Sequence, residues 1–292
     1  MKFRALVTGL AAISLATLSI SALSQTVRVA SKNFTEQFVL AELYSQAMEV
    51  AGIKVERKIN LGGTLIVHKA LEEKQIDFYP EYTGTMLTAI LKLEPMTDRA
   101  AVYHKVKEEY AKKGLVILAE APVNNTYNMV VTQETAAKYK LETLTDLAKV
   151  SKELKLGAGP EFRDRKDGMA GLKQVYGIEW KEDLQMAIGL RYQALQNKQI
   201  DIVNGYATDG MISALKLKRL KDDKNLWPPY YVAPVVRKEA LDANPKIGEI
   251  ANRISAMLDE ATISAMNYKV DGDKMEPRDV AADFLKSKGV IK

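Results

Sequence analysis

The sequence predicts an α/β protein of two similar lobes, each built on a mixed, mostly parallel sheet, with the chain passing between the lobes twice. Three observations carry that expectation. First, Ala70-Leu71-Glu72-Glu73-Lys74-Gln75-Ile76-Asp77, followed by Tyr82, recurs as Ala194-Leu195-Gln196-Asn197-Lys198-Gln199-Ile200-Asp201, followed by Tyr206, every position displaced by the same 124 residues. Each copy reads as an amphipathic helix, a polar turn and a short apolar strand that delivers a tyrosine past its carboxyl end. Second, helical and extended segments alternate as βαβαβ, the order that builds a parallel sheet covered by helices. Third, Trp227-Pro228-Pro229-Tyr230-Tyr231 is too rich in proline for a strand interior and reads as a return crossing. Ligands of open α/β sheets sit beyond the strand carboxyl ends. Paired lobes with a tyrosine at each such end therefore imply a clamshell with an aromatic lining.

The chain opens on Met1-Lys2-Phe3-Arg4, an apolar run from Ala5 to Ile20, and Ser21-Ala22-Leu23-Ser24. This pattern predicts a secretory signal peptide over 1–24, cut between Ser24 and Gln25. The run falls short of the roughly 20 residues that span a bilayer. The first lobe, 25–125 plus 231–292, begins with a strand at Val27 to Ala30 and a helix from Thr35, where Glu36 and Gln37 suit the first turn. A strand at Val55 to Ile59, a turn at Gly62-Gly63, a helix from Thr64 to Glu73 and a strand at Ile76 to Tyr79 follow. After a helix from Arg99 to Lys112, Leu115 to Leu118 and Tyr127 to Val131 read as strands leaving this lobe. The second lobe, 126–230, repeats the plan, with a strand and turn at Leu154 to Gly159, a loop at Pro160 to Arg163 and a helix from Asp167 to Tyr176. Beyond the strand Val232 to Val236 the chain reads as helical, over Ile247 to Leu258 and Pro277 to Lys286, and is expected to pack on the first lobe.

Composition excludes several function classes. A net charge of +5 on 292 residues, with Lys and Glu interspersed, does not signal nucleic acid. Cysteine is absent, so an exported chain of this kind relies on its cores, has no thiol nucleophile and carries no lipid-anchoring cysteine at the cut. The two histidines, His68 and His104, fall inside predicted helices with no metal-ligand spacing and read as solvent-facing. No G-x-S-x-G elbow is present, and Gly157-Ala158-Gly159 lacks the third glycine of a dinucleotide fingerprint. No metal, cofactor or catalytic residue is expected. An exported hydrolase using Glu36 and Glu81 as acid and base is the lesser alternative.

Tyrosine carries the positive signal, with thirteen against six phenylalanines and two tryptophans. Tyr103, Tyr110, Tyr139, Tyr176 and Tyr192 lie in helical patterns and read as packing residues with wet hydroxyls. Tyr82, Tyr127, Tyr206 and Tyr230 fall at strand ends, loops or crossings, where ring faces can line a cleft and attract a cation. Lys32 and Arg163 each sit between their lobe's first strand and the next helix, where free N–H groups favour an anion. Thr83 and Thr85 open a helix beside Tyr82, as caps or as hydroxyl donors. Tyrosine faces for a cation and basic loops for an anion together describe a zwitterion.

Lys32-Asn33-Phe34-Thr35-Glu36-Gln37, Tyr79-Pro80-Glu81-Tyr82-Thr83-Gly84-Thr85, Asn124-Asn125-Thr126-Tyr127 and Trp227-Pro228-Pro229-Tyr230 together resemble the substrate-binding proteins of ABC importers for glycine betaine, choline and carnitine, of the OpuAC type. The resemblance spans the whole chain after the leader. It implies a type II periplasmic-binding fold with two hinge crossings, an aromatic cage of Tyr82, Tyr127, Tyr206 and Tyr230, and a carboxylate held by Lys32, Thr85 and Arg163. Arg165 stands two positions from Arg163, and Tyr231 beside Tyr230, so either of each pair can align with the family position. The implied protein is a periplasmic monomer that captures a quaternary-ammonium compound, glycine betaine first and otherwise choline, carnitine or another polar solute. It hands that ligand to an ABC permease with a cytoplasmic ATPase.

Overall fold

The structure, a computed structural model, describes residues 26–292, so the leader and its cut lie outside the described residues. Ten strands form two five-stranded sheets. The first takes β1 (Val27–Lys32), β2 (Val55–Gly62), β3 (Phe78–Tyr82), β4 (Leu115–Ile117) and β10 (Val232–Arg237) in the order β2-β1-β3-β10-β4. The second takes β5 (Tyr127–Val131), β6 (Lys155–Ala158), β7 (Glu182–Gln185), β8 (Ile202–Tyr206) and β9 (Lys218–Leu220) in the order β7-β6-β8-β5-β9. In both, three parallel strands are followed by one antiparallel strand that arrives from the other lobe, β10 in the first and β5 in the second. The two crossings run side by side, through a bridge between Asn124 and Tyr231 and a hydrogen bond of 3.0 Å from the Asn125 N–H to the Tyr230 carbonyl.

The central strands of each sheet are buried on both faces, as apolar parallel strands require. Along β3 and β10, Phe78, Val232 and Val236 meet the helix Thr35–Val50 side through Leu40, Leu43 and Tyr44, while Tyr79, Ala233 and Val235 join Val67, Leu71, Val106 and Tyr110 on the other. The C-terminal helices Lys246–Ser255, Glu260–Asp271 and Pro277–Ser287 pack on the Thr35–Val50 helix. Glu260–Asp271 also touches the short helix Gly210–Ala214 of the second sheet's lobe, so it ties the two lobes together.

The repeated octapeptide encodes one junction, built twice. Lys74 and Lys198 take the left-handed conformation, at φ 61° and 57°, closing their helices through 3.1 Å bonds to the Leu71 and Leu195 carbonyls. Asp77 and Asp201 then clamp the start of the neighbouring parallel strands, β1 and β6. Each donates its own N–H to Arg28 or Lys155 at 2.8 and 2.9 Å and accepts that residue's N–H at 2.9 and 2.8 Å. The strand that leaves this clamp ends at Tyr82 or Tyr206, so the repeat sets both rings at equivalent strand positions. A non-glycine left-handed residue costs roughly 1–2 kcal/mol, offset in part by the entropy glycine loses on folding. Lys74→Gly and Lys198→Gly are each expected to stabilise the fold by about 0.5 kcal/mol in urea denaturation, whereas Lys→Ala stabilises neither.

Three expectations are corrected here. His68 is buried, not solvent-facing, because Thr64, Val67, His68 and Leu71 form the inward stripe of their helix. Its Nδ1 lies 3.1 Å from the Tyr79 hydroxyl, and burial holds the imidazole below its ordinary pKa. Tyr110 and Tyr192 are buried without wet hydroxyls, the latter donating to Asp209 at 2.5 Å. No helix among the described residues is long and apolar enough to cross a membrane.

Candidate functional site: an aromatic array between the lobes

All four tyrosines singled out from the sequence meet where the two sheets face each other. Tyr127 opens β5 and Tyr206 ends β8, and the antiparallel register sets them directly opposite, with ring centroids 5.3 Å apart. Tyr230 arrives on the return crossing with its ring 5.6 Å from Tyr127. Gly84 permits that approach, because a Cβ there would lie 2.7 Å from the Tyr230 ring and 2.8 Å from the Pro229 carbonyl oxygen. Tyr82 joins from the first lobe through Phe34, which stacks 6.3 Å from Tyr82 and 5.8 Å from Tyr206. Phe162 and Trp227 extend the array at 5.0 and 5.9 Å from Tyr127. Phe34, Phe162 and Trp227 were not singled out from the sequence. Phe34 was within reach, since it lies inside the Lys32–Gln37 string, after the first strand and before its helix.

Burial keeps the phenols neutral, pushing Tyr206 up to about 12 and raising Tyr82, Tyr127 and Tyr230 well above the ordinary value. Two hydroxyls are also anchored. Tyr82 donates to Glu36 at 2.6 Å and Tyr230 to Asp167 at 2.5 Å. Glu36, in the first turn of its helix, further accepts from Asn125 at 2.9 Å, from Asn267 at 3.1 Å and from the Thr208 hydroxyl. It thereby joins both lobes and a crossing at one carboxylate, and burial raises its pKa against those hydrogen bonds. Glu81 is likewise occupied, 2.5 Å from the Lys32 ammonium. Both carboxylates are buried and take part in contacts within the protein.

The basic groups divide. Lys32 Nζ lies 4.6 Å from the Tyr82 ring centroid and 3.4 Å from Thr64 Oγ1, but already faces Glu81. Arg163 turns away from the array. It pairs with the Asp183 carboxylate, with its side chain 31% exposed. Of the two arginines it is Arg165 that faces the array. The helix Pro160–Asp164 stops there, the backbone turns extended at ψ 144°, and the guanidinium points inward, 10% exposed. Its Nη1 donates to Thr85 Oγ1 at 3.2 Å, and its centre lies 5.6 Å from the Tyr127 ring and 6.0 Å from Tyr230. Asp167 receives the other edge in two bonds of 2.7 and 2.6 Å. Burial would raise the Asp167 pKa, but Arg165, Tyr230 and Thr88 hold it below the usual carboxylate range. Thr83 is used structurally, bonding the crossing through the Pro229 carbonyl at 3.1 Å and the Tyr231 N–H at 3.0 Å. Tyr231 itself stacks under Arg99, 3.7 Å from its guanidinium, so Tyr230 is the crossing residue that faces the array.

Glu161 reaches across the cleft to the N-terminus of the helix Thr64–Glu72, accepting from the Thr64 N–H and, at 3.0 Å, from its hydroxyl. The lobes are therefore in direct contact around the array. Chemically, the arrangement offers π faces to a cation, and Arg165, Thr85 and Lys32 to an anion a few ångströms away. No cluster of His, Cys, Asp or Glu suited to a metal exists among the described residues.

Comparison with known proteins places the chain in a family. The model for the substrate-binding domain of ABC-type glycine betaine transport systems matches residues 25–287. A glycine-betaine-binding protein of Pseudomonas aeruginosa is 36% identical over 274 residues, which cover 90% of this chain and 88% of that one. A Helicobacter pylori protein named as an ergothioneine transport permease and ergothioneine-binding protein is 34% identical over 264 residues, covering 90% of this chain and 47% of the relative. The crystal structure of a glycine betaine/carnitine/choline ABC transporter protein superposes with a TM-score of 0.75 at 34% identity, covering 90% of this chain and 99% of that one. The two-lobed architecture is thus the type II periplasmic-binding fold. The chain belongs to the family of substrate-binding domains of ABC-type glycine betaine transport systems, extracytoplasmic binding proteins and not enzymes.

Proposed function

We propose that the chain binds glycine betaine between its lobes, with the trimethylammonium head against Tyr82, Tyr127, Tyr206 and Tyr230 and the carboxylate toward Arg165, Thr85 and Lys32. The observation that carries this reading is the continuous ring array, drawn from both lobes, with the Arg165 to Thr85 contact beside it. Segments 25–125 and 231–292 would close as one body on 126–230 around the ligand. The loaded monomer would then dock on a permease driven by a cytoplasmic ATPase. Export to the periplasm with cleavage between Ser24 and Gln25 belongs to the same proposal, and an intact mass that retains 1–24 overturns that part.

A longer betaine is the second reading. It is favoured by a cavity of about 370 Å³ that reaches the array at Phe34 and continues past Glu36, Arg191 and Asp271. Calorimetric titration with glycine betaine, choline, carnitine and proline tests both. Glycine betaine is expected to bind tightest, and tighter than 3,3-dimethylbutanoate, its isostere with a tert-butyl group in place of the trimethylammonium. Tighter carnitine binding selects the second reading, and equal binding of betaine and its isostere rejects a cation cage.

A further inference from the structure

Each of the four tyrosine rings of the array already has a cation of the protein beside it. Lys32 lies 4.6 Å from Tyr82, Arg165 lies 5.6 and 6.0 Å from Tyr127 and Tyr230, and Arg191 lies 4.9 Å from Tyr206. Resident cations repel an incoming one, and each is matched by a carboxylate: Glu81, Asp167 and Asp209, at 2.5, 2.6 and 2.5 Å. Lys32 and Arg165 have a use for their charge, the ligand's carboxylate. Arg191 differs. It is 1% exposed, lies between Tyr192 at 5.2 Å and Tyr206, and its Nε and Nη1 have no hydrogen-bond partner among the described residues.

The single carboxylate oxygen that Arg191 meets, Asp209 Oδ2, also accepts the Tyr192 hydroxyl at 2.5 Å and the Tyr206 N–H at 2.8 Å. One atom therefore cancels the guanidinium and fixes the backbone of the cage ring in front of it. We infer that Asp209 is a specificity-determining positioning residue: by neutralising Arg191 beside Tyr206, it lets that ring accept a ligand cation. The inference rests on the cage reading above. Without Asp209, a cation seated against Tyr206 would face an uncompensated charge roughly 10 Å away, in surroundings of effective dielectric about 20.

The test compares glycine betaine with 3,3-dimethylbutanoate by calorimetry in the native protein, D209N, R191Q and the double variant. Both ligands carry the carboxylate, so effects of Arg191 on the anion cancel in their affinity ratio, as does any misplacement of Tyr206 that affects both. D209N is expected to lower the betaine preference by about tenfold, as such a charge dictates. R191Q is expected to raise that preference, and R191Q/D209N to return it to the native ratio. Should D209N fail to fold, R191Q and the double variant decide. An unchanged ratio in R191Q, or in a folded D209N, overturns the inference and leaves the cage reading standing. A native protein that does not prefer betaine overturns both.

Discussion

Arg165→Ala is expected to weaken glycine betaine binding by about tenfold or more, since a charged hydrogen bond to a buried carboxylate contributes ~1.5–3 kcal/mol. Arg163→Ala is expected to change it little, because a partly exposed ion pair is worth about 0–1 kcal/mol and lies off the array. Choline separates contact from scaffolding. Removing the guanidinium also strips Asp167 of two hydrogen bonds, a cost that any ligand bears equally, whereas only betaine loses a partner for its carboxylate. Titration of both variants with both ligands therefore gives four numbers and one decisive difference. Equal losses of betaine and choline in Arg165→Ala would restrict Arg165 to holding Asp167 and Tyr230. A larger loss in Arg163→Ala would return the carboxylate site to the residue first expected.

The choice between these arginines shows what kind of information the sequence carried and where it stopped. The repeat was legible because the same junction chemistry, a left-handed lysine followed by an aspartate clamp, had to be written twice to start two equivalent strands. The tyrosines were legible because strand ends are positions where a ring faces a cleft. Arg163 and Arg165 share a charged loop, and their directions depend on where a five-residue helix stops, a choice made by packing and not by local propensity. The strands Glu182–Gln185 and Lys218–Leu220 escaped notice because short charged edge strands lack the apolar alternation that marks a strand. Asp209 and Glu161 were invisible as site residues for another reason. Their partners, Arg191 and Thr64, are joined to them only by tertiary structure.

Tyr127→Leu and Tyr206→Leu are expected to cost roughly 0.5–2 kcal/mol of betaine affinity each, up to about 30-fold, because leucine keeps an apolar contact and loses the ring quadrupole. Tyr→Phe at the same positions should retain most of the affinity, since neither hydroxyl makes a hydrogen bond among the described residues. Tyr82 and Tyr230 are different. Their hydroxyls donate to the buried Glu36 and Asp167, so Tyr→Phe there leaves a carboxylate short of a donor and should lower stability by about 1 kcal/mol. The array thus contains two tyrosine rings held by their faces and two held also by their hydroxyls, and phenylalanine scanning with denaturation alongside calorimetry sorts them. 3,3-dimethylbutanoate supplies the electrostatic control: its weak binding should be nearly indifferent to Tyr127→Leu and Tyr206→Leu. Tyr103→Leu, on the Arg99–Ala111 helix with its hydroxyl on the Leu118 carbonyl at 3.0 Å, supplies the packing control. If Tyr127→Leu and Tyr206→Leu lose no more betaine affinity than Tyr103→Leu, the rings are packing residues of the lobe contact, and the ligand must be sought in the neighbouring cavity past Phe34.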